Sequence, residues 1–222
     1  MQIPEFCPMK ILLCAATEME IAASIQQLSL HKNTAIEIVI TGVGLMTSTY
    51  GLAKAVAIHH PGLLVQAGIA GSLDKALELG KVVAVQSETV GDLGVQETEQ
   101  FRSLFDLKLL SADMPPWKAG KLINDNEILS ACNLPVVDAV TVNEISTDEK
   151  RIAHYREAFK AGIETMEGAA LHYVGLMEKI PFLQIRSVSN FIGERDKTKW
   201  AMQKAISNLN RDLQRILKTL TE

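Results

Sequence analysis

The sequence is short of cysteine and aromatic residues, nearly balanced in charge and free of long apolar runs. Three cysteines, Cys7, Cys14 and Cys132, are scattered over 222 residues with no C-x-x-C pair. An odd set of distant thiols reads as reduced cysteines of a cytoplasmic protein, not as a disulfide framework. No apolar stretch reaches the roughly 18 residues a membrane span needs. The opening residues, with Pro4, Glu5 and Pro8, lack the basic-then-apolar order of a secretory signal. Lys and Arg number 22 against 26 Asp and Glu, a net charge of −4. That balance leaves no basic footprint for nucleic acid or for an anionic membrane surface. The histidines, His31, His59, His60, His154 and His172, show no H-x-H or H-E-x-x-H spacing, so no metal site is expected. Neither a G-x-x-x-x-G-K-[ST] loop nor a G-x-S-x-G elbow occurs, which removes P-loop nucleotide chemistry and the serine-elbow hydrolases.

What remains suits a folded domain. Hydrophobic residues make up 47% of the chain and charged residues 22%, and a chain of this length buries roughly 70% of its unfolded surface without a disulfide or metal. No repeat, low-complexity tract or linker interrupts it. The expectation is one domain over 1–222, with 1–8 as an N-terminal extension.

Apolar runs alternate with amphipathic stretches. Residues 9–16, 35–41, 63–67, 82–87, 121–124, 136–143, 162–165 and 182–189 read as strands. Helices are expected from Thr17 to about 28, over 48–60, from Thr147-Asp148 to about 160, over 167–177 and over 198–220. The pattern weakens over 96–116, where Pro115-Pro116 marks a loop. Such alternation implies an α/β fold, a three-layer sandwich with a central, mostly parallel twisted sheet flanked by helices. Ligands of such folds sit where strands end and helices begin, so attention falls on 17–20, 42–44, 68–71 and 189–200.

Gly42-Val43-Gly44 has a threonine, Thr47, where a dinucleotide fingerprint wants its third glycine, and it reads as a tight turn. Gly68-Ile69-Ala70-Gly71 reads either as a crowded turn or as a loop that admits a ligand close to the backbone. Glu20 follows Thr17 at capping-box spacing, and Glu167 stands at a strand-to-helix junction. Each is explained by helix capping alone. Together, at strand ends of one sheet, they match the paired carboxylates that glycosidic cleavage needs.

Ala16-Thr17-Glu18-Met19-Glu20-Ile21, Gly68-Ile69-Ala70-Gly71, Met166-Glu167-Gly168-Ala169-Ala170 and Arg186-Ser187-Val188-Ser189-Asn190 occur in this order. Together they resemble the nucleoside phosphorylase and nucleosidase family, over about residues 9–220. Within it, the segments Glu88 to Gly94, Ser189-Asn190-Phe191 and Arg195 to Trp200 are similar to the branch that hydrolyses futalosine in menaquinone biosynthesis. The resemblance implies a nucleosidase without cofactor or metal, acting on a small purine nucleoside. It also implies a homodimer or larger homo-oligomer in which a neighbouring chain often completes the site.

Carried over residue by residue, Glu20 orients and deprotonates water, and Glu167 binds the ribose hydroxyls and meets the developing positive charge. Met166 packs under sugar and base, and Gly68, Ile69 and Ala70 form the glycine segment. Glu144 or Ile145 falls where relatives stack a phenylalanine on the base. Asn190 replaces the aspartate of adenine-specific relatives, and Ile69 replaces their serine. An amide can donate to O6 of a 6-oxopurine and accept from a protonated N7, whereas a carboxylate suits a 6-amino group. Asn190 therefore reads as a selector for hypoxanthine, with Asp92 or Asp196 as neighbours able to supply a proton. Arg195 and Trp200 are expected on the carboxylate-bearing 5′ side. A phosphorylase needs arginines for phosphate; the first here is Arg102, and none is near the 42–44 or 68–71 segments in sequence. Hydrolysis is favoured over phosphorolysis. The rival expectations are an adenosine-type (methylthioadenosine/adenosylhomocysteine) nucleosidase and a non-catalytic purine-nucleoside binding module.

Overall fold

The computed structural model describes residues 9–31, 35–98 and 100–221; the expected extension 1–8, with Cys7, lies outside them. In chain order the elements are β1 (Ile11–Ala15), α1 (Glu18–His31), β2 (Ile36–Ile40), α2 (Leu45–His59), β3 (Leu63–Ser72) and β4 (Val82–Val90). There follow β5 (Gly94–Gln96), β6 (Phe101–Ser103), β7 (Leu122–Ile123), α3 (Ile128–Ala131) and β8 (Val136–Thr141). The last are α4 (Glu149–Glu157), β9 (Ile163–Thr165), α5 (Gly168–Glu178), β10 (Phe182–Phe191), a 3-10 turn (Lys197–Lys199) and α6 (Met202–Thr221). Among the described residues, no helix is long and apolar enough to cross a membrane.

β1 is apolar on both faces because both are covered. Ile11, Leu13 and Ala15 join a cluster with Leu209, Leu213 and Ile216 of α6, while Leu12 and Cys14 face Leu52 and Val56 of α2 and Leu171 and Val174 of α5. Helix α6 is held by one apolar stripe, spaced three and four residues apart, while its other face is polar.

The sheet departs from the expected mostly parallel arrangement. Pairings β1–β2, β1–β3, β3–β10, β4–β8 and β8–β9 are parallel, whereas β4–β10, β3–β9 and β4–β7 are antiparallel. Because β10 pairs with both β3 and β4, the strands β3, β10, β4, β8 and β9 close into a ring, and β1 and β2 extend the sheet from β3. The cause is the link 73–81, which carries no helix. A parallel neighbour needs a crossover of a dozen or more residues, so β4 cannot lie parallel beside β3 and instead runs antiparallel to β10. Ala70, Val83, Val85, Ala139, Ile163 and Val188, at least one from each ring strand, pack together. The weakly patterned stretch after residue 96 contains half of a small hairpin, β5–β6, that periodicity did not reveal.

Two segments expected after strands, one of them glycine-rich, lie within them. β3 continues through Gly68–Gly71 to Ser72, and β10 continues through Ser189 and Asn190 to Phe191. Glycine in a strand marks close approach as readily as a turn. Arg186 pairs in register with Gly68, and a Cβ on Gly68 would run into the Arg186 guanidinium and stand 3.0 Å from Glu20 Oε1.

Candidate active site

A cavity of about 250 Å³ opens where β1, β3, β9 and β10 hand over to the segments that follow them. Its floor holds two carboxylates, and a third, the buried Glu164, also lines it. Glu20, 6% exposed, comes from the first turn of α1. Its Oε1 accepts the Ile69 N–H at 3.0 Å, and its Oε2 accepts both the N–H and the hydroxyl of Thr17, at 3.0 and 2.9 Å. Thr17 thus donates twice to Glu20, so the expected capping contact exists, yet the same carboxylate reaches across to β3.

The helix is bent to allow this. Ile21 leaves helical geometry (φ −121°, ψ 15°). The Ser24 N–H and hydroxyl, at 2.9 and 2.7 Å, donate to Asn210 Oδ1 of α6, whose Nδ2 donates to the Glu20 carbonyl at 2.8 Å. Asn210 is inserted into the helical ladder at the break, a recognised cause of a kink.

Glu167, also 6% exposed, approaches from the start of α5. Its Oε1 accepts the Gly44 N–H at 3.0 Å, and its Oε2 lies 3.7 Å from Nη1 of Arg186. The Gly42–Gly44 turn is therefore no cofactor loop; positive φ at both glycines turns the Gly44 N–H onto a carboxylate. Arg186 is 1% exposed and donates from Nη2 to Gln66 Oε1 at 2.6 Å.

This overturns one expectation. The sequence places no arginine near 68–71, but β10 carries Arg186 against Gly68. The available signal was a charge inside the strand-like run FLQIRSVS, which carries no other charge. Arg186 is already committed to Glu167 and Gln66, so it is not free to clamp a phosphate, and two adjacent carboxylates would repel one.

Of the residues singled out from sequence, Glu20, Glu167, Asn190, Ile69, Ala70, Ile145, Met166, Arg195 and Trp200 line the cavity. Two do not. Gly68 lies beneath it and acts by having no side chain. Glu144 points to Arg151, 3.3 Å away, with its side chain 80% exposed. Its neighbour Ile145 is the one at the cavity, and the loop bearing it is tied down where the Ser146 N–H donates to Glu164 Oε1 at 3.0 Å. Glu164 was not anticipated; its burial raises the carboxyl above the ordinary range. Asp92 and Asp196 lie outside the lining. Asp92 accepts from the backbone and side chain of Asn143, and hydrogen bonds from Thr198 hold the exposed Asp196 below its ordinary range, the wrong direction for a proton donor.

A bulge in β10 between Val188 and Asn190 re-aims Asn190 toward the cavity end. Asn190 Oδ1 lies 2.8 Å from the Ser189 hydroxyl, and Nδ2 donates to the Phe191 carbonyl at 3.1 Å, leaving one amide N–H for a ligand. At the rim, the Arg195 guanidinium sits 5.8 Å from the Trp200 ring centroid, and Trp200 Nε1 donates to the Glu194 carbonyl at 3.1 Å. Cys14 lies beneath the site, but burial pushes its thiol up to about 12, so it is no nucleophile. Among the described residues no cluster of ligands suited to a metal occurs.

A closed mixed sheet with two buried carboxylates and an arginine beside a cavity defines a class, and the profile of the phosphorylase superfamily matches residues 27–222; the chain belongs to that superfamily. Within it, the chain is 28% identical over 197 residues to the futalosine hydrolase of Thermus thermophilus, covering 84% of this chain and 83% of that one. Its fold is that of a methylthioadenosine/adenosylhomocysteine nucleosidase from Colwellia psychrerythraea solved with adenine (TM-score 0.80, 21% identity, 97% of each chain). It is also that of a futalosine hydrolase mutant from Helicobacter pylori (TM-score 0.77, 18% identity, 95% of this chain and 99% of that one).

Proposed function

We propose that the chain hydrolyses the N-glycosidic bond of futalosine, with water displacing hypoxanthine from C1′ and leaving dehypoxanthine futalosine. The observation that carries this reading is the pair of buried carboxylates, Glu20 and Glu167, set around Arg186 at one cavity. A carboxylate offers about four acceptor sites. Glu20 uses part of this capacity on Ile69 and Thr17 and retains the rest for a water, which it orients and deprotonates. Glu167, pinned by Gly44 and Arg186, receives the ribose hydroxyls and faces the positive charge that grows on the sugar as the bond to N9 breaks. Met166 supplies an apolar surface under sugar and base. Ile145 covers the base, and the free N–H of Asn190 faces O6.

An adenosine-type nucleosidase would present the same floor, but a 6-amino group would meet the Asn190 N–H donor to donor. Support for a homodimer comes from the cavity edge. Val43, which lines the cavity, is 56% exposed, and Met46 and Tyr50 of α2 continue an uncovered apolar stripe; a second copy covering that stripe would also close the cavity. The deciding experiment is hypoxanthine release from futalosine, alongside base release from methylthioadenosine and adenosylhomocysteine. Faster turnover of either adenine nucleoside would replace the substrate assignment, and no turnover of any nucleoside would leave a binding module.

A further inference from the structure

Glu167 occupies the N-cap position of α5, yet its side chain makes no capping hydrogen bond. An acid at that position ordinarily accepts from the second or third N–H of its own helix. Here those donors are already satisfied. The Gly168 N–H donates to Thr165 Oγ1 at 3.2 Å, the Ala169 N–H to Thr141 Oγ1 at 2.9 Å, and the Ala170 N–H to the Glu167 carbonyl at 3.0 Å. The two hydroxyls lie 3.0 Å apart, and Thr141 Oγ1 donates onward to Glu88 Oε2 at 2.9 Å.

A hydroxyl has one proton and two lone pairs, so this arrangement runs one way. Thr165 donates to Thr141, Thr141 donates to Glu88, and both hydroxyl oxygens keep lone pairs for the helix. The carboxyl at the end of the chain is fully buried and packs so closely on the helix start that a Cβ at Gly168 would overlap Glu88 Oε1 and Gln184 Nε2.

We propose that Glu88 is a positioning residue: its carboxyl oxygen terminates the Thr165–Thr141 hydroxyl chain that caps α5, and so releases Glu167 from capping to serve the cavity. The inference rests on the catalytic reading of Glu167 above. What Glu88 must supply is an acceptor toward Thr141, not a charge. The groups facing it are Gln184 and Arg186 of β10, Thr141 and Glu167, and His172 of α5 stands on the far side of Gln184. Burial pushes Glu88 up to about 7 and holds the His172 imidazole neutral, down to about 4.

The surroundings also accommodate a proton on Glu88. Gln184 Nε2 donates to Glu88 Oε1 at 2.9 Å, while among the described residues neither Gln184 Oε1 nor His172 Nε2 makes a hydrogen bond of good geometry, although the two side chains lie beside each other. His172 Nδ1 lies 3.0 Å from the Leu122 carbonyl, so Nδ1 carries the ring proton and Nε2 is an acceptor. Turning the Gln184 amide over lets a protonated Glu88 Oε1 donate to Gln184 Oε1 and lets Gln184 Nε2 donate to His172. Oε2 remains the acceptor for Thr141 in either state. A glutamine at 88 can reproduce the neutral arrangement.

The test compares Glu88→Met, which keeps the volume and removes the acceptor, with Glu88→Gln. Both are assayed for kcat and KM on the nucleoside the wild type turns over and examined by crystallography without ligand. Glu88→Met is expected to lose about 10- to 100-fold in kcat with KM within about threefold, because Glu167 acts in the transition state. Glu88→Gln is expected to stay within about threefold of wild type. In the ligand-free Glu88→Met structure the Glu167 carboxylate is expected to leave the Gly44 N–H and cap its own helix. Should Glu88→Met fail to fold, Thr141→Val takes its place and Thr141→Ser the place of the rescue.

An unchanged kcat in the acceptor-less variant, equal damage from Glu88→Gln, or a Glu167 that stays on Gly44 would each overturn the inference. Absence of turnover by the wild type would instead fail the proposed function, and the position of Glu167 in the variant structures would still decide the inference.

Discussion

At the floor of the cavity Glu20 and Glu167, and Arg186 beneath them, are each at most 6% exposed, and each is held by protein donors or acceptors on more than one element. At the rim Ile145 is 43% exposed, and Arg195 is solvent-exposed over the face of Trp200. On the proposed reading, the floor is the part where water activation and charge stabilisation must be preorganised, since a donor that has to move during reaction contributes less. On the same reading the rim selects among substrates and tolerates adjustment. Asn190 lies between the two, half-buried, at the end of β10. If that division holds, substitutions should lose severity from floor to rim.

The largest effect is expected from Glu20→Gln. The amide cannot take a proton from water, and one of its ends presents a donor where Ile69 or Thr17 already donates. Turnover should fall about 10²–10⁴-fold, while affinity for a product or unreactive analogue stays near wild type. A variant with wild-type kcat would remove Glu20 from the chemistry.

Next comes Glu167→Gln, with a fall in kcat of about 10²–10³-fold and little change in KM, because the carboxylate acts on charge that is absent from the ground state. It also leaves the buried Arg186 without its carboxylate. Breaking a buried pair by removing one partner costs about 3–5 kcal/mol, so a lower thermal midpoint is expected as well. A rise in KM with kcat untouched would make Glu167 a binding group alone.

Much of the floor was legible in sequence for a physical reason. Glu20 and Glu167 each come within a few residues of the end of a buried strand, and in an α/β fold that places them at one edge. Arg186 was not legible as a member of the site, because it meets Gly68 through strand register between segments more than a hundred residues apart. The closure of the sheet was hidden for a related reason. Alternating periodicity reports strands and helices, but the pairing of β10 with β4 depends on the helix-free link 73–81. The glycines of β3 misled in the same way, since a glycine that admits another side chain and a glycine that makes a turn look alike. Near the rim, placement of Glu144 and Ile145 depended on which of two adjacent residues faces inward, and the bond from Ser146 to Glu164 decides it.

Between floor and rim, Asn190→Asp is expected to change selectivity more than rate. Exchanging the amide donor for an acceptor leaves O6 facing a carboxylate, and an unpaired buried polar group costs about 1–3 kcal/mol. The ratio of kcat/KM for 6-oxo over 6-amino forms of one nucleoside scaffold should drop about 10- to 100-fold. An unchanged ratio would mean that Asn190 does not read the base.

The smallest effect is expected at the rim, from Arg195→Ala. Trp200 is anchored independently of the guanidinium, through Nε1 to the Glu194 carbonyl, so truncating Arg195 should leave the ring in place. An exposed ion pair contributes about 0.2–1 kcal/mol, which limits the loss on a carboxylate-bearing substrate to roughly 1.4- to 5-fold in kcat/KM. The same variant should be indifferent on inosine, which has no carboxylate to pair. Because the contact is solvent-exposed, the wild-type advantage should shrink as salt is raised from about 0.01 to 1 M, where the Debye length falls from roughly 30 to 3 Å. Equal losses on both substrates would place the substrate carboxylate elsewhere. A loss greater than about a hundredfold would mean that Arg195 becomes buried when substrate binds, and that the rim is as tightly organised as the floor.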